Sequence, residues 1–404
     1  MGFLSRSLER KADPLAIWAE MLRAGRSSKA GPTINLESAL RVATLFACLK
    51  VLSQGVAQVP FKLFRVTERD GLPNIVPARD HQLYDLVATQ PNDWSTSFEF
   101  RETLTIHAAL GNAYAFKNKV GGKIVELILI NPGRVKVRQN DDYSIVYEVT
   151  GKSGSVQTFP AEAIWHVRGP SWSGFDGMEI LSIAREALGL SIATEETHAK
   201  LHAKGVRPSG VYSVEGKLVE AQYKLLKSWI DNELGGSDNA GGVLLLDNAA
   251  KFMPTAMTGL DAEHLATRDH QIVEVCRFMG VMPIMVGHND KSSTFASADA
   301  FFEAHVKYTL SPWYARIEQS ADVHLLTKRD RAAGLYFKFM AAGLLRGSTA
   351  TRADVNSKAL GAGGSPAWMT VDEVRALEEL NPLGGAAGVL PVATNVPKPP
   401  PPTP

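Results

Sequence analysis

Apolar positions along this 404-residue chain change period three times. From Leu40 to Val59, the residues Leu40, Ala43, Phe46, Ala47, Val51 and Leu52 recur near helical spacing. Gly31-Pro32 punctuates before them, Asn35 is placed to cap a helix starting at Leu36, and Pro60 ends the run. Residues 60–170 shift towards alternation. Phe61, Leu63 and Phe64, then Ile124 to Ile130, then Val135, Val137, Ile145 and Tyr147 predict strands between Gly, Asn and Pro turns. A helix from about Ser97 to Leu110 interrupts them, so this stretch reads as an α+β unit.

Past Gly174 and Gly177 the texture becomes helical. Residues 178–204 contain one glycine, Gly189, and no proline, which predicts a helix about 40 Å long, stopped by Gly205 and Pro208. A compact insert follows, with a strand at Val211–Val214, a helix at Val219–Glu233, a Gly/Ser/Asn loop at 235–242 and a strand at Val243–Leu246. A second long helix runs from about Ala262 to Met279 and ends at Gly280 and Pro283. Two long helices bracketing a small β-α-β insert are the organising feature of the chain. The polar loop 289–297 leads to a third helix from near Ala298 that passes Pro312, where a kink is expected. Leu335–Leu345 and Asp372–Leu380 predict further helices around the Gly-rich run Gly361–Gly364. At the ends, the first thirty residues hold six basic and three acidic side chains around Trp18, Met21 and Leu22, an arm with at most a short amphipathic helix. Seven prolines in the fourteen residues Pro391–Pro404 form a tail expected to be disordered.

Composition narrows the function classes. Lys+Arg is 43 against Asp+Glu 42, a formal charge of +1, so no overall basic field marks a tight nucleic-acid binder. Cys48 and Cys276 are the only cysteines, which excludes a disulfide framework and a Cys-rich zinc site and points to a reducing compartment. They lie in helices of apolar spacing and read as buried small hydrophobes. The longest charge-free stretch, Leu380 to Pro397, is broken by Asn, Pro and Gly, so no membrane span is expected. Met1-Gly2 opens like a myristoylation site, but Arg6 stands where Ser or Thr is needed, and no export or anchoring signal is read.

Catalytic and metal patterns all fall short. Gly121-Gly122-Lys123 approaches a phosphate-binding loop, yet Lys117 occupies the first Gly position and Ile124 the Ser/Thr position. Gly169-Pro170-Ser171-Trp172-Ser173 nearly spells a nucleophile elbow and ends in Ser. His198 and His202 are spaced i, i+4, and Glu195-x-x-His198 and Asp261-x-x-His264 echo di-metal bundles, but the further inward carboxylates are missing. No active site, metal or cofactor is expected.

Several segments together resemble the portal proteins of long-tailed bacteriophages and their gene-transfer-agent relatives. Gly111-Asn112-Ala113-Tyr114 matches that family's Gly-Asn-Ala-Tyr. Ile164-Trp165-His166-Val167-Arg168-Gly169 followed by Gly177 is similar to its Ile-x-His-x-x-Gly…Gly, although Gly177-Met178-Glu179-Ile180 replaces the frequent Gly-x-Ser-Pro. Gly205-Val206-Arg207-Pro208-Ser209-Gly210 resembles Asn-Gly-x-x-Pro-Ser-Gly, with Lys204 in place of Asn. Phe278-Met279-Gly280-Val281-Met282-Pro283 resembles Phe-Gly-Val-Pro-Pro, with one Met inserted and one replacing the first Pro. Trp368-Met369-Thr370-Val371-Asp372-Glu373-Val374-Arg375, then Glu378 and Gly384-Gly385, resembles Trp-x-Thr-x-Asn-Glu-x-Arg…Glu…Gly-Gly. Each motif alone is weak. Their order over roughly residues 35–385 makes the set specific.

The resemblance implies a portal-like α+β subunit with an α/β wing, long stem helices bracketing the clip, and a helical crown. It implies a ring, usually of twelve, at one capsid vertex of the virion, assembled in the host cytoplasm, with double-stranded DNA passing through the channel. Terminase large subunit, head-tail adaptor, major capsid protein and scaffold would be the partners, with no membrane involved. Mapped by residue, 1–30 would be the N-terminal arm, 31–177 and 281–340 the wing, 178–204 and 258–280 the stem, 205–257 the clip, 341–385 the crown and 386–404 the tail. The loop carrying Asn289, Asp290, Lys291, Ser292, Ser293 and Thr294 is the expected DNA contact. Lys200, Lys204, Arg207 and Arg268 are the expected basic stem or channel charges, set among Glu195, Glu196, Asp261, Glu263, Asp269 and Glu274. Near-neutral charge suits a conduit, because many simultaneous phosphate contacts would hold DNA in place. Trp229, Phe301, Phe302 and Trp313 offer aromatic surface for self-association. The alternatives are a self-assembling scaffold or adaptor that never meets DNA and a nucleic-acid-processing enzyme. Asp80 and Asp85 near His81 are too loosely placed for the latter.

Overall fold

A computed structural model describes residues 26–69, 72–151, 153–204, 210–213, 219–229, 251–254, 260–288, 298–341, 349–362, 366–378 and 380–391. It opens with a hairpin, β1 (Arg26–Ser27) and β2 (Thr33–Ile34), so the expected arm boundary at residue 30 falls inside a paired unit. Asn35 then caps α1 (Leu36–Leu40) through a reciprocal capping box with Ser38, as its sequence position predicts. The apolar helix follows as α2 (Ala43–Ala57).

Next come β3 (Phe61–Arg69), β4 (Leu72–Pro77), α3 (Gln82–Ala88) and α4 (Ser97–Ala109), the last opened by a Thr96–Glu99 capping box. The hairpin β5 (Asn112–Val120) and β6 (Lys123–Ile130) leads to β7 (Val135–Gln139), β8 (Ile145–Thr150), β9 (Val156–Pro160) and β10 (Ile164–Arg168). The short α5 (Ile180–Ile183) and the long α6 (Arg185–Lys204) follow. The insert contributes β11 (Gly210–Ser213), α7 (Glu220–Trp229) and β12 (Lys251–Pro254), and β11 pairs antiparallel with β12. The chain continues through α8 (Leu260–Met279), α9 (Ala298–Ala304), a π-helical stretch His305–Leu310, α10 (Ser311–His324), α11 (Lys328–Ala332), β13 (Leu335–Phe339), α12 (Thr349–Ala359) and α13 (Val371–Leu377).

Three small antiparallel sheets organise the first part: β13-β3-β4, β10-β5-β6 and β7-β8-β9. Their core includes Leu45, Leu49 and Leu52 of α2, Leu104 of α4, and Phe61 and Phe337 from neighbouring strands, all essentially inaccessible. Two buried cations close helix ends there. Arg101 donates Nη2 to Ala57 O at 2.7 Å and Nη1 to Val87 O at 3.3 Å, at the last residues of α2 and near the end of α3. Lys117 donates to His324 O, the last residue of α10, at 2.7 Å. Each side chain supplies donors to carbonyls that the helix itself leaves unpaired.

Three expectations change, and one is untested. The continuous helix from residue 178 is two helices, broken at Ala184. The sequence segment Leu335–Leu345 begins as a strand, because its residues alternate buried and exposed and pair with Phe61–Arg65. Helix α10 secures that edge strand with two carboxylates: Asp322 accepts from Phe337 N at 2.7 Å and Glu318 from Phe339 N at 2.8 Å. Around Pro312 the simple kink is replaced by the π-helical turn, which accommodates the ring and missing N–H at the start of a new helix. The expected second insert strand at 243–246 lies outside the described residues, and β12 supplies the partner of β11.

The chain divides into two compact units. One is Met1–Ser293 with Lys307–Phe339, and the other is Thr294–Val306 with Met340–Pro404, so the stretch containing α9 groups with the C-terminal part. Among the described residues no helix is long and apolar enough to cross a membrane. Cys48 and Cys276, separated by 228 positions, are both buried and meet at 3.9 Å between sulfurs. They join α2 to α8, a packing contact that apolar spacing alone does not reveal.

Candidate functional site

The first two motifs converge on one joint, where the chain leaves the sheets to begin α5 and α6. Gly111 sits at φ +143, a conformation that favours glycine, in the corner between α4 and β5. The next residue, Asn112, clamps Gly177: its Oδ1 accepts from Gly177 N at 2.8 Å and its Nδ2 donates to Gly177 O at 3.1 Å. Those two hydrogen bonds to the N–H and C=O of Gly177 fix which end of the Asn112 amide is oxygen. The 2.8 Å contact between Asn112 Oδ1 and His166 Nε2 must therefore carry its proton on Nε2. His166 Nδ1 is left as an acceptor, and Tyr147 OH donates to it at 3.1 Å.

Burial keeps this network neutral. It pushes the His166 imidazole down to about 3, assisted by the nearby Arg168 charge, and lifts the Tyr147 phenol to about 12. Tyr114, whose ring lies 4.5 Å from that of His166, is shifted upward by burial as well. Asp176 is raised by burial, and its buried Oδ1 has no hydrogen-bond partner.

Glycines allow the backbones to touch. Gly169 N donates to Gly111 O at 2.7 Å, and a Cβ on Gly169 would lie 2.6 Å from Ala108 O. A Cβ on Gly177 would strike Gly111 O. Met178 N then bonds Pro170 O at 2.8 Å and Ile180 N bonds Leu110 O at 3.2 Å, so the launch point of α5 is tied to the end of α4. From α10, Arg316 Nη1 reaches Arg168 O and Gly169 O, both at 2.9 Å, and Ser320 Oγ reaches His166 O at 2.9 Å. These bonds tie the strands, α4 and α10 to the segment that opens α5.

The later motifs are joints too. At the end of α8, Val281 N bonds Cys276 O and Gly280 N bonds Arg277 O, with Gly280 left-handed at φ +66. This Schellman arrangement makes Gly280 and the buried Val281 the operative residues of the Phe-Met-Gly-Val-Met-Pro segment. In the C-terminal unit, Thr370 and Glu373 form a capping box at α13. Asp372 accepts from Leu383 N at 2.7 Å and Gly384 N at 2.9 Å, and Arg375 Nε donates to Asn381 O at 2.8 Å. Glu378 accepts from Asn356 at 3.1 Å, which binds α12 to the same turn.

Of the residues expected to meet DNA, three lie among the described residues. Asn289, Asp290, Lys291, Ser292, Ser293 and Thr294 lie outside the described residues, as does Arg207. Lys200 and Lys204 are on the backbone of α6, and Arg268 is an exposed side chain on α8. The helices α6 and α8 meet through a 3.2 Å bond from Gln271 to Thr194. On the sheet side of that bond Leu188, Val275, Cys276 and Met279 are buried, whereas Glu195, Thr197, Ala266 and Arg268 to His270 are exposed. Among the described residues no three His, Cys, Asp or Glu side chains gather into a metal site. The contributions of Tyr147, Arg316 and Ser320 have no signal in the sequence, because each reaches the joint from a distant element.

Known proteins resemble this chain in sequence and fold. The portal protein of Enterobacteria phage HK97 is 27% identical over 368 residues, covering 90% of this chain and 85% of that protein. The probable portal protein of Streptomyces phage phiC31 is 27% identical over 376 residues, covering 90% and 80%. Among solved structures, a chain from the neck of a native gene-transfer-agent particle computed with C12 symmetry aligns with TM-score 0.57 at 20% identity, over 91% of this chain and 98% of that one. An HK97-family phage portal protein from Corynebacterium diphtheriae aligns with TM-score 0.53 at 15% identity, over 78% and 98%. The phage portal protein family matches residues 43–379, a span that takes in the Asn112 joint, both long helices, the Schellman turn and the α13 capping box, and the chain belongs to that family.

Proposed function

We propose that this protein is the subunit of a twelve-membered ring at one vertex of a phage or gene-transfer-agent head, the conduit for double-stranded DNA during packaging and ejection. In this reading α6 and α8 are the stem, the insert between them is the clip that docks first terminase and then the head-tail adaptor, and the sheets form the wing facing capsid protein and scaffold. Residues 341–385 are the crown, and the loop 289–294, with Lys291 its only cation, touches DNA in the channel. Lys200, Lys204, Arg207 and Arg268 supply scattered positive charge along the stem, enough to attract DNA weakly without arresting it.

The observation that carries this reading is the half-covered pair of long helices. Among their described residues Glu195, Thr197, Ala266 and Arg268 to His270 are exposed, as are the apolar Leu190 (48%) on α6 and Ile183 (61%) on the preceding α5. Trp172 projects beside them in sequence, 92% exposed, from a loop fastened by its own Ser171 and Ser173 bonds to Asp176. Surface of this kind is completed by neighbouring copies in a closed ring.

Native mass spectrometry with negative-stain imaging of the same sample tests it. Rings with a central hole near 526 kDa, twelve subunits of 43.8 kDa, are the expected result. A compact 43.8 kDa monomer with nuclease or phosphatase activity would overturn it.

A further inference from the structure

The β5–β6 hairpin outreaches the sheet that packs on it. At its root Phe116 and Ile130 join the cluster of Tyr114, Tyr147 and Ile164, and Phe116 meets Phe159 edge-on at 5.4 Å. Further out, a cleft of about 860 Å³ opens between the hairpin and the ends of β8 and β9, within the roughly 300–1,000 Å³ typical of binding sites. Phe116, Ile128 and Phe159 line it, together with Trp94 and Val120, which are 66% and 65% exposed.

Among the described residues, one cation lines this apolar space. Arg134, in the turn between β6 and β7, has both Nε and Nη2 buried without any hydrogen-bond partner. Those two N–H groups form the edge of a guanidinium that grips a carboxylate in bidentate fashion. The cleft's own acceptors are engaged elsewhere or fail to reach it: Asn131 Oδ1 accepts from Gly133 N at 2.9 Å, and Glu126 Oε2 accepts from Asn118 at 2.7 Å. A buried, unpaired guanidinium edge is costly, so the bare cleft is an incomplete structure.

We infer that this cleft receives a segment of a partner protein, other than this chain, that sets apolar side chains on Phe116, Ile128 and Phe159 and a carboxylate on Arg134. The apolar walls and the cleft's own Asp93 and Glu126 disfavour a polyphosphate, whereas one acidic side chain among apolar neighbours satisfies both features. The inference goes beyond the conduit role and stands whether or not the subunit closes into a ring.

The test is panning of a random short-peptide library on the full-length protein, with Arg134→Gln protein as counter-selection. Enriched peptides carrying one Asp or Glu among Leu, Phe or Val are expected. Replacing that acid by its amide should weaken binding to the natural protein roughly tenfold or more, and leave binding to Arg134→Gln unchanged. Arg134→Lys, which keeps the charge and loses the fork, should also bind weakly. Arg134→Gln is expected to melt no lower than the natural protein, since it removes a group without partners, so loss of binding is not loss of fold. Enrichment that ignores Arg134, or no acid-dependent peptide, overturns the inference. A changed oligomer size on Arg134→Gln does so too, because the occupant would then be a second copy.

Discussion

The joint around Asn112 and the two long helices leaving it solve opposite problems. At the joint nearly every polar group finds its partner within the chain: His166 is held on both nitrogens, Gly177 on both sides of its peptide groups, and α10 adds Arg316 and Ser320. The helices, by contrast, expose apolar and charged side chains, Leu190 on α6 and Arg268 to His270 on α8 among them. On α8, Glu274 pairs with Arg277 and faces His270 at 3.8 Å, contacts along the helix's own surface. Such exposed pairs contribute little to stability. The difference separates two duties. The joint ties the start of the helices within one subunit, while in the proposed ring their exposed faces would meet neighbouring copies.

The sharpest way to break this distinction is Gly177→Ala. A Cβ there meets the backbone oxygen of Gly111, which cannot rotate away, and pushes against the Asn112 clamp. The expected outcome is a loss of more than about 3 kcal/mol in urea unfolding, or insoluble protein, from one methyl group. A variant as stable as the natural protein would show that the joint yields easily. Next in size is Arg101→Met in the sheet-side core. It strands the carbonyls of Ala57 and Val87 at the ends of α2 and α3, and about 2–3 kcal/mol should be lost in the same assay. Burial draws the Arg101 guanidinium down to about 10, so it is charged at neutral pH and its loss is felt there.

The sequence made the helices and many strands legible, and left the joint legible only as a pattern. Asn35 and Pro60 frame α1 and α2 because capping and proline stops are local rules. The segment from Leu335 misled because Leu, Phe, Met and Ala in succession suit a helix as well as a strand. What makes it a strand is Phe61–Arg65 alongside, with Glu318 and Asp322 waiting at its edge, a tertiary override of propensity. The Asn112 joint shows the limit from the other side. Its glycines and histidine are visible as a motif, yet their reason is a contact between residues 65 positions apart, and no chemistry in the motif names it. Motifs made of turns, clamps and caps are recognised by their order and spacing, since each taken alone is a common structural pattern.

A smaller effect tests the joint's electrostatics. The folded pKa of His166, about 3, lies below the ordinary histidine value of 6.5, so the unfolded chain binds the extra proton. Stability from keeping it neutral is complete above about pH 6.5 and declines as pH falls towards 3. His107, lowered by burial to about 4, adds to the same slope. Asp176, raised by burial, has the opposite sign and regains stability as it protonates. The two histidines outweigh it over this window, so urea midpoints should fall steadily from pH 6.5 to 4.5. In His166→Gln, already weaker at pH 7, the fall should be shallower, and an unchanged slope would place the linkage elsewhere.

The smallest effect on the subunit should come from the helices. Leu190 is 48% exposed on α6, two residues from the fully buried Leu188. Leu188→Ser empties a core position and should cost several kcal/mol, on the order of a buried large-to-small change made polar. Leu190→Ser should cost less than about 0.5 kcal/mol in the isolated subunit, in line with other surface substitutions. Its consequence belongs to assembly: in native mass spectrometry the ring population should fall while the monomer stays folded by circular dichroism. If Leu190→Ser unfolds the monomer, the helix is covered within its own chain and the face for neighbouring copies does not exist. If it changes neither fold nor ring, α6 turns this face to the channel or to solvent, and the contact between copies must be sought on α8 or on the loop that carries Trp172.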